Sequence, residues 1–324
     1  MRIDIDIAPC NQGVKKRRIF MKKMKKIVSL CLIATLTIAF ATGCQKKSEV
    51  AAEKKAQASE SASGTQAGAK ESALLTEIKK RGYIEIGSSN DAPFSYQDVS
   101  SKELKGLDIE ILKEICNRLG IPDIKMKVVD FSNLIVELNN KNIDMVVDGM
   151  YVKDDRLQLA AFSDKWYQEG EAVVIPKNST IASKDDLKGK NVGAQPGTTF
   201  FDTAQSWLTK KEVGNVTSFD NQATLMTALN MGKVDAVVTD GIVAGYTLAS
   251  DNTLNLKLLS PYKAEASGQI GSAVRFEDED FLTEVNGALN AMKQDGTLLK
   301  ILEKYGLTKD YFVDADAGKT KNVK

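Results

Sequence analysis

An arginine and an aspartate each follow a buried apolar strand in this sequence, and together they could bind a zwitterion. Arg156 ends the polar loop after the run Ile143–Val147, and Asp240 follows the run Val234–Val238. A guanidinium group binds a carboxylate through two parallel hydrogen bonds, whereas a carboxylate binds an ammonium group. The two side chains therefore predict the two halves of a clamp for a small molecule that carries both charges.

The segment Gln195–Thr199, which reads Gln-Pro-Gly-Thr-Thr, adds a second group that could bind an anion. It lies between an expected strand and an expected helix, and the free N–H groups at a helix N-terminus favour a carboxylate. Taken alone, two threonines before a helix are ordinarily an N-cap, and an arginine after a strand is ordinarily a surface residue. The prediction therefore depends on the combination of these features.

The elements that must position these residues alternate between strand and helix. The run Ile143–Val147 is apolar except for Asp144, which is the pattern of a parallel strand covered on both faces. Ligands of such sheets bind beyond the carboxyl ends of the strands. Strand and helix patterns recur from about Ala73 to a long helix near Phe281, and they predict an α/β fold with mostly parallel sheets flanked by helices.

The sequence also resembles itself at an offset of 91 residues. The segment Leu134–Met150 aligns with Leu225–Gly241, and six of the seventeen aligned positions are identical. This likeness is compatible with chance or with the shared pattern of a helix followed by a strand. A true repeat would mean that each half of the protein presents a polar loop from an equivalent strand end.

The composition limits the classes of function. The 324 residues suggest two domains. Beyond residue 43 the chain holds 35 Lys and Arg against 41 Asp and Glu, and this mildly acidic balance argues against a nucleic-acid partner. The chain has no histidine, which excludes histidine-dependent catalytic triads and histidine metal ligands. No cofactor is expected.

The N-terminal region has the features of an export signal. Four lysines between residues 22 and 26 precede the apolar run Ile27–Phe40, which is followed by small residues and Cys44. The region resembles the lipobox of bacterial lipoproteins, which implies that Cys44 is lipidated and that residues 1–43 are a signal peptide with an upstream extension. An ordinary secretory signal or an uncleaved anchor is the alternative. Once the signal is removed, only Cys116 is left besides Cys44, so no disulfide framework is expected.

Residues 44–72 are mostly Ala, Ser, Gly, Gln, Lys and Glu. Such a segment cannot bury enough apolar surface to fold, and we interpret it as a flexible tether. The folded body is expected from residue 73 onward, held near a membrane by the lipid on Cys44.

Several motifs identify this body as similar to the bacterial family 3 solute-binding proteins. The segment Gly106–Ile111 with Ile115, Cys116 and Leu119 fits the family signature, and the loop motifs APFSY, GMYVKDDR, QPGTT and VDAVVTD occur in the family's order. The resemblance implies a two-domain periplasmic-binding-protein fold of type II, with the ligand cleft between the domains. It further implies that the protein is an extracytoplasmic receptor of an ABC importer and not an enzyme.

The resemblance also implies the roles of the site residues. Arg156 would bind the ligand α-carboxylate, and Asp240 would bind the α-ammonium group. Thr199 would donate its backbone N–H to the carboxylate, and Gly149 would offer its carbonyl oxygen to the ammonium group. The residues expected to line the side-chain pocket are Ser88, Asp91, Phe131 and Gln195. Trp166 and Phe94 are expected to be core or rim aromatics.

The sequence departs from the family pattern at two positions. Tyr151 stands where the family usually has a small hydroxyl residue, and Asp148 stands where it usually has a small neutral residue. With Asp91 nearby, an acidic and aromatic pocket would favour a cationic side chain or a compact amidinium-like solute. In the alternative interpretation, Asp148 points away from the ligand and is solvated.

The implied mechanism is hinge closure of two domains around a polar amino acid, for which a cationic side chain is one candidate. Domain 1 would comprise residues 73–168 plus 269–324, and domain 2 residues 169–267, with glycines at both crossings. The closed monomer would dock on a membrane permease. The alternatives are a binder of ectoine-like compatible solutes, or a dehydratase on the same fold. A dehydratase needs a carboxylic acid over the leaving hydroxyl group, and the sequence shows no glutamate in a pocket loop.

Overall fold

The structure, a computed structural model, describes residues 71–323. The predicted signal peptide, Cys44 and residues 44–70 of the predicted tether lie outside these residues. Ser72 caps the first helix, because its side-chain oxygen accepts a hydrogen bond from Leu75 N at 3.3 Å and donates one to Glu284 Oε2 at 2.6 Å. Ser72 is therefore the N-cap of a first helix that begins at Ala73.

The strands are short, and most of them belong to two separate sheets. Within residues 71–323 the strands are β1 Ile84–Ser88, β2 Tyr96–Gln97, β3 Leu104–Lys105, β4 Ile124–Val128, β5 Met145–Val146, β6 Ala161–Phe162, β7 Tyr167–Pro176, β8 Asn191–Ala194, β9 Asn215–Ser218, β10 Ala236–Asp240, β11 Leu256–Leu258, β12 Ser267–Ile270 and β13 Ala273–Val274.

Helices connect these strands, and four further 3₁₀ turns lie in the loops. The α-helices of the described part are α1 Ala73–Arg81, α2 Leu107–Leu119, α3 Leu134–Asn139, α4 Asp154–Leu157, α5 Thr199–Thr209, α6 Gln222–Asn230, α7 Gly241–Ser250, α8 Glu279–Gln294 and α9 Thr297–Lys304. The 3₁₀ turns are Phe131–Asn133, Lys184–Leu187, Phe276–Asp278 and Lys309–Tyr311. None of the helices in residues 71–323 is both long and apolar enough to cross a bilayer.

Both sheets are mixed. The first has the strand order β4-β1-β5-β13-β6, and the second has the order β11-β7-β10-β8-β9. The parallel pairs are β4 with β1 and β1 with β5 in the first sheet, and β10 with β8 and β8 with β9 in the second. The predicted α/β fold is confirmed, but β13, β6, β7 and β11 join their sheets in antiparallel pairs. The prediction of mostly parallel sheets is therefore wrong on this point.

The antiparallel strands arise where the chain passes between the sheets. β7 leaves the first-sheet region at Tyr167 and continues into the second sheet, and β12 brings the chain back alongside it. The two strands pair antiparallel at Gln168 with Gln269, at Glu169 with Gly268 and at Gly170 with Ser267. Because β13 follows this return directly, it enters the first sheet antiparallel to β5.

The two segments of the internal repeat have equivalent places in the two sheets. Asp144 Oδ2 accepts a hydrogen bond from Glu85 N at 2.7 Å, and Asp235 Oδ2 accepts one from Asn191 N at 2.8 Å. Each of these aspartates thus holds the start of the neighbouring parallel strand. Leu134 and Ile143 lie against Gly87 of β1, as Leu225 and Val234, their partners at the offset of 91, lie against Gly193 of β8. The repeat is therefore structural.

The predicted elements fall close to the observed ones at the site. The strand expected before the segment Gln195–Thr199 is β8, which ends at Ala194, and the helix expected after this segment is α5, which begins at Thr199. The sequence prediction missed α7, which begins directly after Asp240. Only Gly241, Ile242, Val243 and Ala244 of this helix are buried, so its sequence has no long amphipathic pattern.

Candidate functional site

One pocket collects the carboxyl ends of the parallel strands from both sheets. The empty space between its walls is about 330 Å³ with open solvent included. The residues that line it are Asp91, Phe94, Phe131, Asp148, Gly149, Tyr151, Arg156, Gln195, Thr198, Thr199, Phe200, Gln222, Asp240 and Val243.

Arg156 reaches this pocket from the short helix α4 and is 6% exposed. Its Nη1 donates to the carbonyl oxygen of Tyr151 at 2.8 Å, and its Nη2 donates to the carbonyl oxygen of Gly197 at 2.8 Å. The guanidinium carbon lies 5.5 Å from the centre of the Phe131 ring. Burial lowers the pKa of Arg156 to about 10, so the group remains charged at neutral pH. A fixed, buried cation of this kind can bind a carboxylate.

The N-terminus of α5 lies beside Arg156. Thr198 is the N-cap, and its hydroxyl oxygen accepts a hydrogen bond from Phe201 N at 3.1 Å. The hydroxyl of Thr199 is buried and has no hydrogen-bond partner within the described residues. A buried hydroxyl without a partner at a helix N-terminus is a position where an anionic ligand group would find a donor.

Asp240 ends β10 and is 6% exposed. Burial raises its pKa to about 6, while a hydrogen bond from Glu169 acts in the opposite direction. Glu169, on β7, is fully buried, and burial together with the charge of Asp240 raises its pKa well above the ordinary value. Glu169 contacts Asp240 from within a strand and does not line the cavity, so it does not contradict the expectation that no glutamate lies in a pocket loop.

Asp91 and Asp148 form a second pair of buried carboxyl groups. The hydroxyl of Ser89 lies 2.7 Å from Asp91 Oδ2 and 2.5 Å from Asp148 Oδ2. A serine hydroxyl carries one proton, so it cannot donate fully to two carboxylates at once. Burial and the charge of Asp91 raise the pKa of Asp148 well above its usual range, and burial raises the pKa of Asp91. A cation in the pocket would relieve this repulsion.

Asp148 is not solvated, so the expectation of a solvated side chain in the alternative interpretation is wrong. It is 3% exposed and lines the pocket. Its Oδ1 accepts from the hydroxyl of Ser88 at 2.8 Å, and its Oδ2 accepts from Ser89 N at 2.7 Å as well as from the Ser89 hydroxyl. Ser88 is buried behind Asp148, and its hydroxyl oxygen also lies 2.7 Å from the carbonyl oxygen of Ser95, so its one proton is shared between these two acceptors. The prediction that Ser88 lines the pocket is therefore wrong, because the residue supports Asp148 instead.

A chain of buried amides connects Asp91 to the second sheet. Gln195 Nε2 donates to Asp91 Oδ2 at 3.1 Å, and Gln222 N donates to Asp91 Oδ1 at 3.2 Å. Gln222 Nε2 donates to Gln195 Oε1 at 2.6 Å, and Thr239 donates its hydroxyl proton to Gln222 Oε1 at 2.7 Å. Gln222 was not predicted, although it opens a helix directly after a parallel strand, as Thr199 does. Its position in the strand–helix pattern could have indicated it.

Gly149 occupies a position that only glycine can fill. Its φ is +58°, and a Cβ atom there would come within 2.6 Å of the Phe94 ring. Gly149 N donates to Asp108 Oδ2 at 2.7 Å, and Asp108 Oδ1 accepts from the Tyr167 hydroxyl at 2.7 Å. Asp108 belongs to the signature segment of α2, which thus fixes the backbone of the pocket. Phe94 lines the pocket, and Trp166 lies in the core.

Tyr151 lies against both strands that pass between the sheets. Its ring meets Phe200 edge-on at a centroid distance of 5.5 Å and leaves no room for a Cβ atom at Gly268. Its hydroxyl lies 3.5 Å from the carbonyl oxygen of Glu169, at the limit of a hydrogen bond. The aromatic ring therefore fills space between the pocket and the crossing strands.

The sequence matches the model of the bacterial extracellular solute-binding proteins, family 3, over residues 84–308. The L-cystine-binding protein TcyJ of Escherichia coli (strain K12) is 30% identical over 236 residues, which cover 72% of this chain and 85% of that protein. The arginine-binding extracellular protein ArtP of Bacillus subtilis (strain 168) is 31% identical over 232 residues, which cover 71% of this chain and 88% of that protein.

Solved structures agree with these sequence matches. An ancestral arginine-binding protein bound to arginine has a TM-score of 0.63 and 36% identity, covering 69% of this chain and 98% of that chain. The ancestral amino acid-binding protein AncCDT-1, a precursor of cyclohexadienyl dehydratase, has a TM-score of 0.64 and 29% identity, covering 72% of this chain and 98% of that chain. The similarity thus extends over the whole body that holds the pocket.

Proposed function

The chain belongs to the bacterial extracellular solute-binding proteins, family 3, and we propose that it is the receptor of an ABC importer that captures an amino acid with a cationic side chain. The observation that carries this proposal is the meeting of Arg156, Thr199 and Asp240 in one buried pocket. A buried guanidinium and a helix N-terminus suit the α-carboxylate, and Asp240 suits the α-ammonium group. The carbonyl oxygen of Gly149 is a second acceptor for the ammonium group.

The preference for a cationic side chain follows from the charge of the pocket wall. The cavity wall contains three carboxyl groups and a guanidinium group. These belong to Asp91, Asp148, Asp240 and Arg156. A zwitterion with a neutral side chain leaves the acidic surplus of this wall unchanged, whereas a side-chain cation reduces it. Phe131 and Gln195 complete the lining around these charges. Arginine, lysine and ornithine therefore fit the pocket better than glutamine does.

Closure of two domains around the ligand is the mechanism that we propose. Domain 1 comprises residues 73–168 plus 269–324, and domain 2 residues 169–267, with the paired strands β7 and β12 as the hinge. Arg156 and Asp91 already make hydrogen bonds to Gly197 and Gln195 across the cleft. A ligand held by both sets of residues stabilises the closed form through its differential affinity for that form.

We place the receptor outside the cytoplasmic membrane as a monomer. The signal-like residues 1–43 and the lipobox-like Cys44 support lipid anchoring, and the polar residues 44–72 support a tether. In this arrangement the closed body, held near the membrane, delivers its amino acid to the permease of the transporter.

Binding without turnover is the simpler function for this site. The similar solute-binding proteins TcyJ and ArtP are named for binding, whereas AncCDT-1 is described as a precursor of a dehydratase. Glu169 is a buried carboxyl group that could serve acid catalysis, and it is the observation in favour of an enzyme. Its side chain contacts Asp240 but does not line the cavity, so it has no direct access to a ligand hydroxyl group.

A thermal-shift screen tests the proposal. The exported chain from residue 44, with Cys44→Ser to keep it in solution, is heated with amino acids, ectoine-like solutes and hydroxy acids. A ligand at about 100 times its dissociation constant adds about 2.7 kcal/mol to the free energy of unfolding. We expect the largest shifts from cationic α-amino acids. No shift with any α-amino acid contradicts the amino-acid assignment. A shift only with ectoine-like solutes supports that alternative, and consumption of a hydroxy acid supports the enzyme.

A further inference from the structure

Glu169 lies where the proposed clamp meets the proposed hinge. It is on β7, opposite Gly268 of β12, in the short stretch where the chain crosses between the two sheets. Its side chain is completely buried. A glutamate at this place is unusual physically, because an isolated charge in such a position loses all its hydration.

The hydrogen bonds of Glu169 do not satisfy an ionised carboxylate. Its Oε2 accepts from Ile242 N at 3.3 Å, and its Oε1 has no donor among residues 71–323. The side chain instead contacts the carboxyl group of Asp240. A carboxyl–carboxyl contact is favourable only when one of the two groups carries a proton and donates it to the other.

The other charged and titratable groups around the pair strengthen this need for a proton. Asp108 from α2 adds negative charge near Glu169, and the buried phenols of Tyr151 and Tyr167 are close to both carboxyl groups. Glu171 from β7 acts in the same direction on Tyr151, while Arg156 from α4 is the cation that acts on Asp240. The surroundings therefore hold more negative than positive charge.

We propose that Glu169 is a further specificity-determining residue, which shares a proton with Asp240 in the empty site and releases it when an α-ammonium group binds. The inference rests on the amino-acid receptor function proposed above. The ammonium group takes over the positive charge that the proton supplied. The O–H bond of the protonated carboxyl group breaks, the proton passes to buffer base, and both carboxylates then face the cation.

This exchange has two consequences for recognition. Ligands without an ammonium group at this position cannot displace the proton, so the pair discriminates against neutral analogues. Capture is also linked to pH, because a ligand that releases protons binds more tightly as the proton concentration falls. Release of about one proton corresponds to a dissociation constant that falls by up to about tenfold per pH unit.

Isothermal titration calorimetry with L-arginine tests the exchange. Titration at one pH in two buffers that differ in ionisation enthalpy gives the number of protons released. Titrations between about pH 5.5 and pH 8, the range in which tuned carboxyl groups titrate, give the pH dependence of the dissociation constant. The variants Glu169→Gln and Glu171→Gln are compared with the otherwise unchanged chain that carries Cys44→Ser.

Glu171 is the matched control. It is two residues further along the same strand and equally buried, but its carboxylate accepts hydrogen bonds from Tyr262, Glu265 N and Ala266 N. We expect Glu169→Gln to reduce the protons released by up to about one and to flatten the pH dependence, and Glu171→Gln to leave both unchanged. Equal proton release in all three proteins overturns the inference while leaving the receptor function intact. A lack of binding to any amino acid at any pH overturns both.

A second measurement covers the case in which Glu169→Gln fails to fold. Infrared difference spectra are recorded with and without L-arginine on the protein that keeps both Glu169 and Asp240. They report the C=O stretch of a protonated carboxyl group. We expect a band of this kind to be lost when the ligand binds, which gives a negative band in the difference spectrum. If the two groups share the proton, this negative band should shift in Asp240→Asn. A difference spectrum without such a negative band, or one whose band is unchanged in Asp240→Asn, overturns the inference.

Discussion

The cationic side of the pocket and its acidic side differ in how far the protein satisfies them. Two of the five N–H donors of Arg156 already bind backbone carbonyl groups, and the side chain packs near Phe131. The acidic side consists of carboxyl groups that repel one another, and Asp91 and Asp148 compete for one serine hydroxyl. The cationic side is thus prepared for a ligand, whereas the acidic side is unfavourable until a cation arrives.

The difference assigns separate tasks to the two sides. Every α-amino acid has a carboxylate, so the side of Arg156 and Thr199 provides affinity without selecting among side chains. The acidic side is the part that can distinguish a cationic from a neutral ligand, because its energy depends on the charge that the ligand brings. Substitutions on the two sides should therefore have different effects on affinity and on selectivity.

The largest expected effect is that of Arg156→Ala. Loss of the guanidinium leaves the ligand carboxylate buried without its cation, which costs about 2–5 kcal/mol of binding free energy. The dissociation constants of arginine, lysine and glutamine should all rise by at least about 30-fold, because the lost interaction is common to them. Calorimetric titration measures the three constants.

Lys153→Ala provides the control for this loss of charge. Lys153 is also a cation beside the cleft, and its Nζ lies 3.0 Å from Asp202 of α5. This pair is more exposed than Arg156, and such pairs contribute about 0–1 kcal/mol. Comparable losses in the two variants would show that general charge, and not the guanidinium in the pocket, attracts the ligand.

Asp240→Asn should make the empty protein more stable at neutral pH while it weakens binding. The pKa of Asp240 is raised to about 6 by burial, so the stability that its protonated form contributes is present below about pH 4 and is lost as the pH rises through about 6. Asparagine avoids this loss, and we expect a gain of about 1–3 kcal/mol in the free energy of unfolding at pH 7.

Urea unfolding of the ligand-free proteins at two pH values checks the sign. The gain from Asp240→Asn should be present at pH 7. It should vanish at about pH 4, where Asp240 of the unsubstituted protein is protonated and therefore also uncharged. A variant that is equally destabilised at both pH values would mean that Asp240 is a structural residue whose charge does not matter.

Asp91→Asn should lower selectivity more than affinity. The substitution removes one negative charge from the part of the pocket that we propose for the ligand side chain. The amide oxygen can still accept from either Gln195 or Gln222, which bind different oxygens of Asp91. The ratio of the dissociation constants of glutamine and arginine should fall by about tenfold, which corresponds to about 1.4 kcal/mol. Competition between the two amino acids for one sample of protein measures this ratio directly.

Asp148→Asn separates the charge from the hydrogen bonds. Asp148 accepts only from Ser88 and Ser89 of its own sheet, whereas Asp91 accepts from residues of both sheets. An amide –NH₂ at position 148 would face these serine donors, so we expect a loss of stability in the empty protein. If Asp148→Asn changes selectivity while Asp91→Asn does not, the roles that we assign to the two residues are reversed.

Much of the site could be predicted from the sequence because it lies at the ends of strands. Arg156 and Asp240 follow apolar runs that are recognisable as buried strands, and Gln195 and Thr199 belong to a strand–loop–helix pattern. All four line the pocket. In such folds the local pattern fixes the loop positions, and parallel pairing brings those loops to one edge.

The unpredicted parts depend on contacts between residues that are distant in sequence. Glu169 lies within a strand, and the pairing of this strand with β10, in which Asp240 lies opposite Glu171, places it beside Asp240. Ser88 is at a strand end like the other site residues, but Asp148 covers it. The antiparallel strands were missed because a short strand such as β13 gives no indication of its direction. Such features follow from tertiary packing, which local patterns do not encode.

The smallest expected effect is that of Tyr151→Phe. Tyr151 lines the pocket, and its hydroxyl is 3.5 Å from the carbonyl oxygen of Glu169. At this distance the hydrogen bond is weak, so we expect the affinity for arginine to change by less than about threefold. Calorimetric titration of both proteins with arginine and glutamine measures the change.

Tyr151→Ser tests the contribution of the aromatic ring, whereas Tyr151→Phe tests that of the hydroxyl group. It restores a small hydroxyl residue but removes the edge contact with Phe200 and leaves a space beside Gly268. Truncation of a buried aromatic side chain costs about 3–5 kcal/mol, so this variant should lose both stability and affinity. If the phenylalanine variant loses affinity as strongly as the serine variant, the phenol hydroxyl is itself a ligand-binding group. The pocket would then contain a third, hydrogen-bonding group in addition to its cationic and acidic sides.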